Sequence, residues 1–432
     1  MKKILSGIVG SAVVAGGLFY FTSQKLVGDE INAQLTALQT HGFVIQDRKQ
    51  NADGEHLVIS LADMHKFSKL IPEYESILLA EDKSALKDFK LGVDWTSSGA
   101  GISMDIYPVS FPTEDIPAEA KEIMDKYIAD KTLMLHLDYN TLTKNFEGNL
   151  KDIDEEINNE IGLKLLGLAF DGSLSDEKIA LNYKLNEFKL SDDKKPIVEA
   201  TGISSEGTYE GLNYYISNGT TNVDKVFIDL PHTSDSLNLS NMSFKVTSDV
   251  KNKLLESRLN IVTKNIDATI SDDKFTLDNF TFDYGIKNID MEAFDKLTKL
   301  INRENPDFES PEVKDCIADM FKNGMEFDIY KFGVDSIIHN GQTLKGFSLK
   351  TNLKIDNNPD LIQTLQMQPM QALSSVTIDG QIKVSDEIFA EILKNPRGRM
   401  AMMIQAKEEN GYKIYDIELK ESKLKVNGRQ MM

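Results

Sequence analysis

The chain has 432 residues, 41% of them apolar and 27% charged, with a formal net charge of −20. This is globular composition with room for two or three cores, and the excess of carboxylates argues against nucleic acid as a partner, because neutralising phosphates needs a basic surface. The single cysteine, Cys316, excludes an intrachain disulfide and any zinc site built from several thiolates.

The N-terminus carries the clearest signal. After Lys2 and Lys3, residues 4–24 (ILSGIVGSAVVAGGLFYFTSQ) contain no charge, and at the helical rise they reach about 31 Å, one bilayer core. Ile4, Leu5, Ile8, Val9, Val13, Val14, Leu18, Phe19, Tyr20 and Phe21 are the expected membrane-anchor residues, with the aromatics at the far interface. The two lysines predict residues 1–3 on the cytoplasmic side and the body outside. A cleaved signal peptide is the competing reading, with Val13-Val14-Ala15 as its site; the apolar run continues through Phe21, which favours the anchor.

Residues 25–41 continue as a helical stalk with Leu26, Ile31, Leu35 and Leu38 in loose helical rhythm, ended by Gly42. Phe43 to Ile59 reads as a hairpin around Ala52-Asp53-Gly54-Glu55, and a helix follows over Met64–Leu79, with Pro72 as a kink. Strands are expected over Phe89–Thr96 and Gly101–Phe111, where Pro108 shifts the alternation as it does at a bulge or an edge. A helix over Pro117–Lys131 precedes a strand whose Leu133, Leu135, Leu137 and Tyr139 share one face.

From there the pattern is mostly β. Ile179, Leu181, Tyr183 and Leu185 alternate before the phase shifts to Phe188 and Leu190; Phe275 and Leu277 likewise give way to Phe280, Phe282 and Tyr284. Each run predicts a long strand broken by a bulge or bend. The two runs open on similar text: FDGSLSDEKIALNYKL at 170–185 and IDATISDDKFTLDNFT at 266–281 share Asp, Ser, Asp, Lys and Leu at matching positions. Phe347, Leu349, Leu353 and Ile355, then Val376, Ile378, Ile382 and Val384, continue the one-sided alternation to the C-terminus, where Tyr412 and Ile414 give way to Ile417 and Leu419. Asp290 and Ser385 are expected helix caps, and Asn358-Pro359 starts a helix over Asp360–Leu373.

The order of strands and helices predicts an α+β, β-rich fold of antiparallel meander sheets with covering helices, in two or three related modules. The boundaries are an N-terminal α+β module over 42–165, a central β-rich module over 166–289 and a C-terminal α+β module over 290–432.

Chemistry-bearing motifs do not stand out. The six histidines His41, His56, His65, His136, His232 and His339 show no metal spacing, and no phosphate loop or nucleophile elbow occurs. Cys316 lies on an apolar helix face with Val313, Ile317 and Phe321, as a packed thiol does. His136 falls opposite Leu135 and Leu137, facing solvent, and Trp95 sits in a strand beside a turn. Met367, Met370, Met400, Met402, Met403, Met431 and Met432 cluster late in the chain and are expected mainly to fill the core. The reading that follows is non-enzymatic, with no cofactor, no metal and no catalytic residue.

The opening MKKILSGIVGSAVVAGGLFYFTSQ, the stalk ending LQTHGFVI and the stretch FKLGVDWTSSGAGISMDIYPVSFP resemble the YdgA-like bacterial proteins, a family without an established activity. The resemblance implies anchoring in the bacterial inner membrane with the body in the periplasm, and it carries over no catalytic residue. Two roles are expected for such a body: a scaffold for envelope proteins, or a sheet whose apolar face holds a lipid. An envelope hydrolase with a site assembled from distant residues is the alternative.

Overall fold

The computed structural model describes residues 38–50, 54–63, 90–110, 118–157, 161–175, 178–210, 213–230, 233–301, 307–339, 341–358, 367–394 and 404–431, with positions 36, 66 and 364. The expected anchor, most of the stalk and the helix expected over 64–79 lie outside these residues. Among the described residues no helix is long and apolar enough to cross a membrane.

The fold is β-rich and antiparallel, and the chain divides into two compact units. In the first, β1 (Phe43–Gln50) and β2 (Gly54–Leu61) form the expected hairpin, followed by β3 (Lys90–Ser98), β4 (Gly101–Ser110) and α1 (Ala118–Ala129). Next come β5 (Leu135–Asn140), β6 (Asn145–Leu150), β7 (Ile153–Ile157), β8 (Ile161–Leu166), β9 (Ala169–Leu174) and β10 (Lys178–Asp192). The pairings run β1-β2-β3-β4-β5-β6-β9-β10-β8-β7. The bulge expected at Pro108 is present: Lys90 pairs with Ser110 but Leu91 with Pro108. Leu57, Val93 and Ile106 stand in register on β2, β3 and β4 and are buried with Leu38, Phe43, Tyr127 and Ile153, so this unit has a closed core.

The strand β11 (Lys195–Glu210) divides between the units. The second unit is a meander of β12 (Asn213–Asp229), β13 (Ser236–Lys251), β14 (Leu254–Ile270), β15 (Asp273–Asp290), β16 (Met325–His339), β17 (Gln342–Ile355) and β18 (Val376–Ser385), consecutively paired. Beyond β18 lies β20 (Tyr412–Lys420), whose far edge is shared by β19 (Lys407–Glu409) and β21 (Lys423–Val426), with β22 (Arg429–Gln430) outermost. Two-residue turns with both φ positive, Asn252-Lys253 and Ser271-Asp272, close hairpins in the geometry that matches strand twist. Between β15 and β16 stand α2 (Met291–Ile301) and α3 (Pro311–Phe321), and α4 (Asp386–Lys394) follows β18; the helix expected over 360–373 is described only at its end, as helical turns over Pro369–Ala372 and Leu373–Ser375.

The two similar stretches both fold as hairpins, β9–β10 and β14–β15, but not with one register. The last pair is Leu174 with Ile179 in the first and Ile270 with Asp273 in the second, so the loops hold four and two residues. The phase breaks also have separate causes. In β10 the break falls where the strand leaves β9 for β8, between Lys184 and Glu187. In β15 the pairing to β14 keeps one register through Asn279, and the break coincides with its φ of 54°. Of the expected module boundaries, 289/290 falls where β15 gives way to α2, and 165/166 falls inside β8.

Both expected caps form. Asp290 accepts from the Ala293 amide at 3.0 Å; Ser385, fully buried, accepts from the Ile388 amide at 3.2 Å and donates to the Lys345 carbonyl at 2.7 Å. Ser385→Ala removes a cap and takes a donor from the Lys345 carbonyl, so it is expected to lower stability by about 1–2 kcal/mol, read as a lower urea midpoint at unchanged m-value.

Candidate functional site

In an antiparallel sheet, residues in register on successive strands share one face, so the successive pairings decide what each face carries. In the second unit one row reads Thr221, Phe244, Ile261, Phe282, Phe332, Leu349, Ile382 and Tyr415, from β12 across to β20. Two residues along each strand, Val223, Met242, Thr263 and Phe280 form a parallel row, continued on β16 to β18 by Val334, Phe347 and Val384. On the other side Val246, Leu259, Tyr284 and Ile329 stand in line. A bulge at Tyr330 and Lys331 keeps Ile329 and Phe332 on the same face.

The result is an apolar stripe that crosses the strands. Seven interstrand steps give it a length of about 34 Å, and three rows a width of about 14 Å. Aromatic rings occupy its middle: Phe282 meets Phe332 edge-on with centroids 5.7 Å apart, Phe332 meets Phe280 at 6.1 Å and Phe347 at 5.6 Å, and Tyr284 lies 4.9 Å from Phe282. Val223, Thr263 and Val334 are buried, but every residue of the central row is only half-buried. The corresponding row of the first unit behaves differently, with Leu57, Val93 and Ile106 at 4%, 5% and 2% exposure.

The stripe has defined margins. Towards the β14–β15 turn, Asn265 donates to Asp278 at 2.8 Å and Ser336 bonds the same carboxylate, forming a polar row. Towards the other end, Leu255 and Ile289 pair and are buried, where α2 and α3 pack on β15. The opposite sheet face is polar. There Arg258 donates twice to the buried Asp283, at 2.8 and 2.6 Å, and stacks on Tyr330. Asp328, also buried, accepts from Lys287 at 2.8 Å, Tyr330 at 3.0 Å and Asn352 at 2.5 Å. Burial raises the Asp328 pKa, but these three donors outweigh it and hold the carboxyl below its ordinary value.

The first unit carries the second constellation. His56, Asp94, Asp105 and His136 stand in register on β2 to β5, on the face away from Leu57, Val93 and Ile106. His56 Nδ1 lies 2.5 Å from Asp94, which also accepts from Tyr107 at 2.7 Å and Lys131 at 3.1 Å. His136 lies 2.7 Å from Asp105 through Nδ1 and 3.1 Å from Asp138 through Nε2. These are hydrogen-bonded histidine–aspartate pairs on a partly exposed face, and among the described residues no group of three His, Cys, Asp or Glu is arranged to hold a metal ion.

The residues singled out from sequence fall as follows. The anchor set from Ile4 to Phe21 lies outside the described residues. Cys316 is buried in α3 against Leu300 and Val313. His136 is partly exposed, as expected, but paired; Trp95 packs beside the first-unit core. Methionine does not fill the core at the two places the structure describes near the C-terminus: Met367 and Met431 are 71% and 43% exposed. Sequence reading named Phe280, Phe282, Tyr284, Phe347, Leu349 and Ile382 as strand faces without joining them, because only register aligns residues so far apart.

Residues 143–432, two thirds of the chain, match the family model described as a bacterial protein of unknown function (DUF945). The chain belongs to this family. The DUF945 match takes in every strand of the stripe and leaves out β1 to β5, where the whole histidine–aspartate row lies. No curated protein and no solved structure matches the chain.

The His136 pair gives a test of this geometry. Hydrogen bonding to Asp105, then to Asp138, lifts its pKa above 6.5 against the opposing effect of burial. Its stabilisation is therefore complete below pH 6.5 and disappears as pH rises through the raised value. In an NMR titration, Asp105→Asn is expected to bring the His136 pKa back towards 6.5; an unchanged midpoint would refute the assigned pairing.

Proposed function

We propose that this DUF945 protein is a non-enzymatic envelope protein that holds a lipid acyl chain on the stripe of its second unit. The observation that carries the reading is the half-buried row from Phe244 to Ile382, because a contiguous apolar face left partly open by the elements around it marks a binding site. Its footprint selects the occupant. About 34 by 14 Å is at most roughly 480 Å², well short of the roughly 800 Å² each partner contributes to a standard protein interface, while one acyl chain, which spans about half of a hydrocarbon core of about 30 Å, fits within its length.

The sequence supplies the location. The uncharged run of residues 4–24 behind two lysines supports an inner-membrane anchor with the body in the periplasm, and the YdgA-like resemblance, specific mainly in the first 110 residues, supports the same placement. In this reading the chain has no catalytic residue, and the paired carboxylates and histidines are structural.

The test is photo-cross-linking in living cells with the full chain. A benzophenone residue in place of Phe282 or Phe332 is expected to give lipid adducts by mass spectrometry, and one in place of Tyr330 on the polar face is expected to give none. Phe282→Asp puts an unpaired charge in the path of the chain, so adduct yield at Phe332 should fall by at least about tenfold. Adducts with protein alone at the stripe positions would overturn the reading.

A further inference from the structure

Tyr415 closes the β20 end of the central row, and its surroundings differ from the rest of the stripe. Among the described residues its hydroxyl is buried without a hydrogen-bond partner, whereas a buried tyrosine O–H normally donates to something. Over it stands α4, which packs on β17, β18 and β20 and brings the Phe389 ring to 6.5 Å from the Tyr415 ring. The helix is amphipathic, with Ile388, Phe389, Ile392 and Leu393 on one side, yet none of its residues is buried and Ile392 is 40% exposed. A nine-residue helix depends on packing for its stability, so an apolar side left this open is half of a contact.

Resting on the acyl-chain reading above, we infer that the β20 end receives the head of the acyl chain: Tyr415 donates its hydroxyl proton to the acyl carbonyl oxygen, and α4 lies over the first methylenes. The chemistry fits from both sides. An ester carbonyl is one acceptor with no need for a charged partner, the site has one orphaned donor, and the remaining row toward β12 is apolar as far as Phe244, as the rest of the chain requires. A free fatty acid would bring an ionised carboxylate to the same hydroxyl, and its adduct mass tells it apart from an ester lipid.

The decisive variant is Tyr415→Phe, read in the full chain with the benzophenone at Phe282. Adduct yield is expected to fall about five- to tenfold, as loss of one hydrogen bond to a ligand does, while thermal stability without lipid stays level or rises, because the variant removes an unsatisfied buried group. A benzophenone in place of Ile392 should capture the same lipid mass. An unchanged yield in Tyr415→Phe overturns the carbonyl assignment and leaves the stripe reading standing. A fall in both yield and thermal stability also overturns it, since the hydroxyl would then have a partner inside the protein. Adducts at Phe282 but none at Ile392 remove α4 from the site, and no lipid at Phe282 in the otherwise unaltered chain removes the stripe reading itself.

Discussion

Cross-strand register is the constraint on which the second unit depends. Each antiparallel pairing fixes which side chains stand opposite one another, and over strands of 14 to 18 residues from β12 to β17 a single slip would send every apolar residue to the other face. The polar pairs on that other face oppose such a slip. Arg258 with Asp283, and Lys287 with Asp328, are in reach only at this register, and Asp283 and Asp328 are buried, so shifting them would strand carboxylates without partners.

The two units use the same strand grammar and end in different places. In the first, short strands stack Leu57, Val93 and Ile106 under a closed core with Tyr127 of α1 and with Leu38. The second has more sheet than helix. Among the described residues its helices gather at the margins, with α2 and α3 packing on each other through Leu300, Val313 and Cys316 and on β15, and α4 packing on β17, β18 and β20. The middle of the apolar face is left half-buried, and the ligand reading follows from that shortfall.

Long strands also have to absorb twist, and several devices do this. One is a change of neighbour: β10 passes from β9 to β8, and β20 from β19 to β21, where the Asn427 side chain accepts from the Asp416 amide at 2.8 Å and fills the gap in the ladder. Another is the bulge, at Pro108 in β4 and at Tyr330 in β16. A third is a residue in the left-handed region within a strand, Asn241 in β13 and Asn279 in β15, residues whose short amide side chains tolerate it. Asn279 also donates to Asp335 on β16 at 3.0 Å, so the distorted point is tied across the strands.

The sequence by itself determined the elements whose signals are local. Alternation of Ile102, Met104 and Ile106, the pairing of the strands on either side of residues 51–53, the caps Asp290 and Ser385 and the packed face of Cys316 all follow from short-range patterns, and they appear in the structure where they were expected. The phase breaks were legible as well, but not their causes, because an exchange of partner and a positive φ leave the same mark on alternation. The stripe and the orphaned hydroxyl of Tyr415 were decided only by the tertiary structure. Thr221 and Tyr415 are brought into one row by seven successive registers, and no local pattern encodes their sum. Whether an apolar face is covered is likewise settled by how many helices return to it, which depends on chain geometry rather than on the residues of the face.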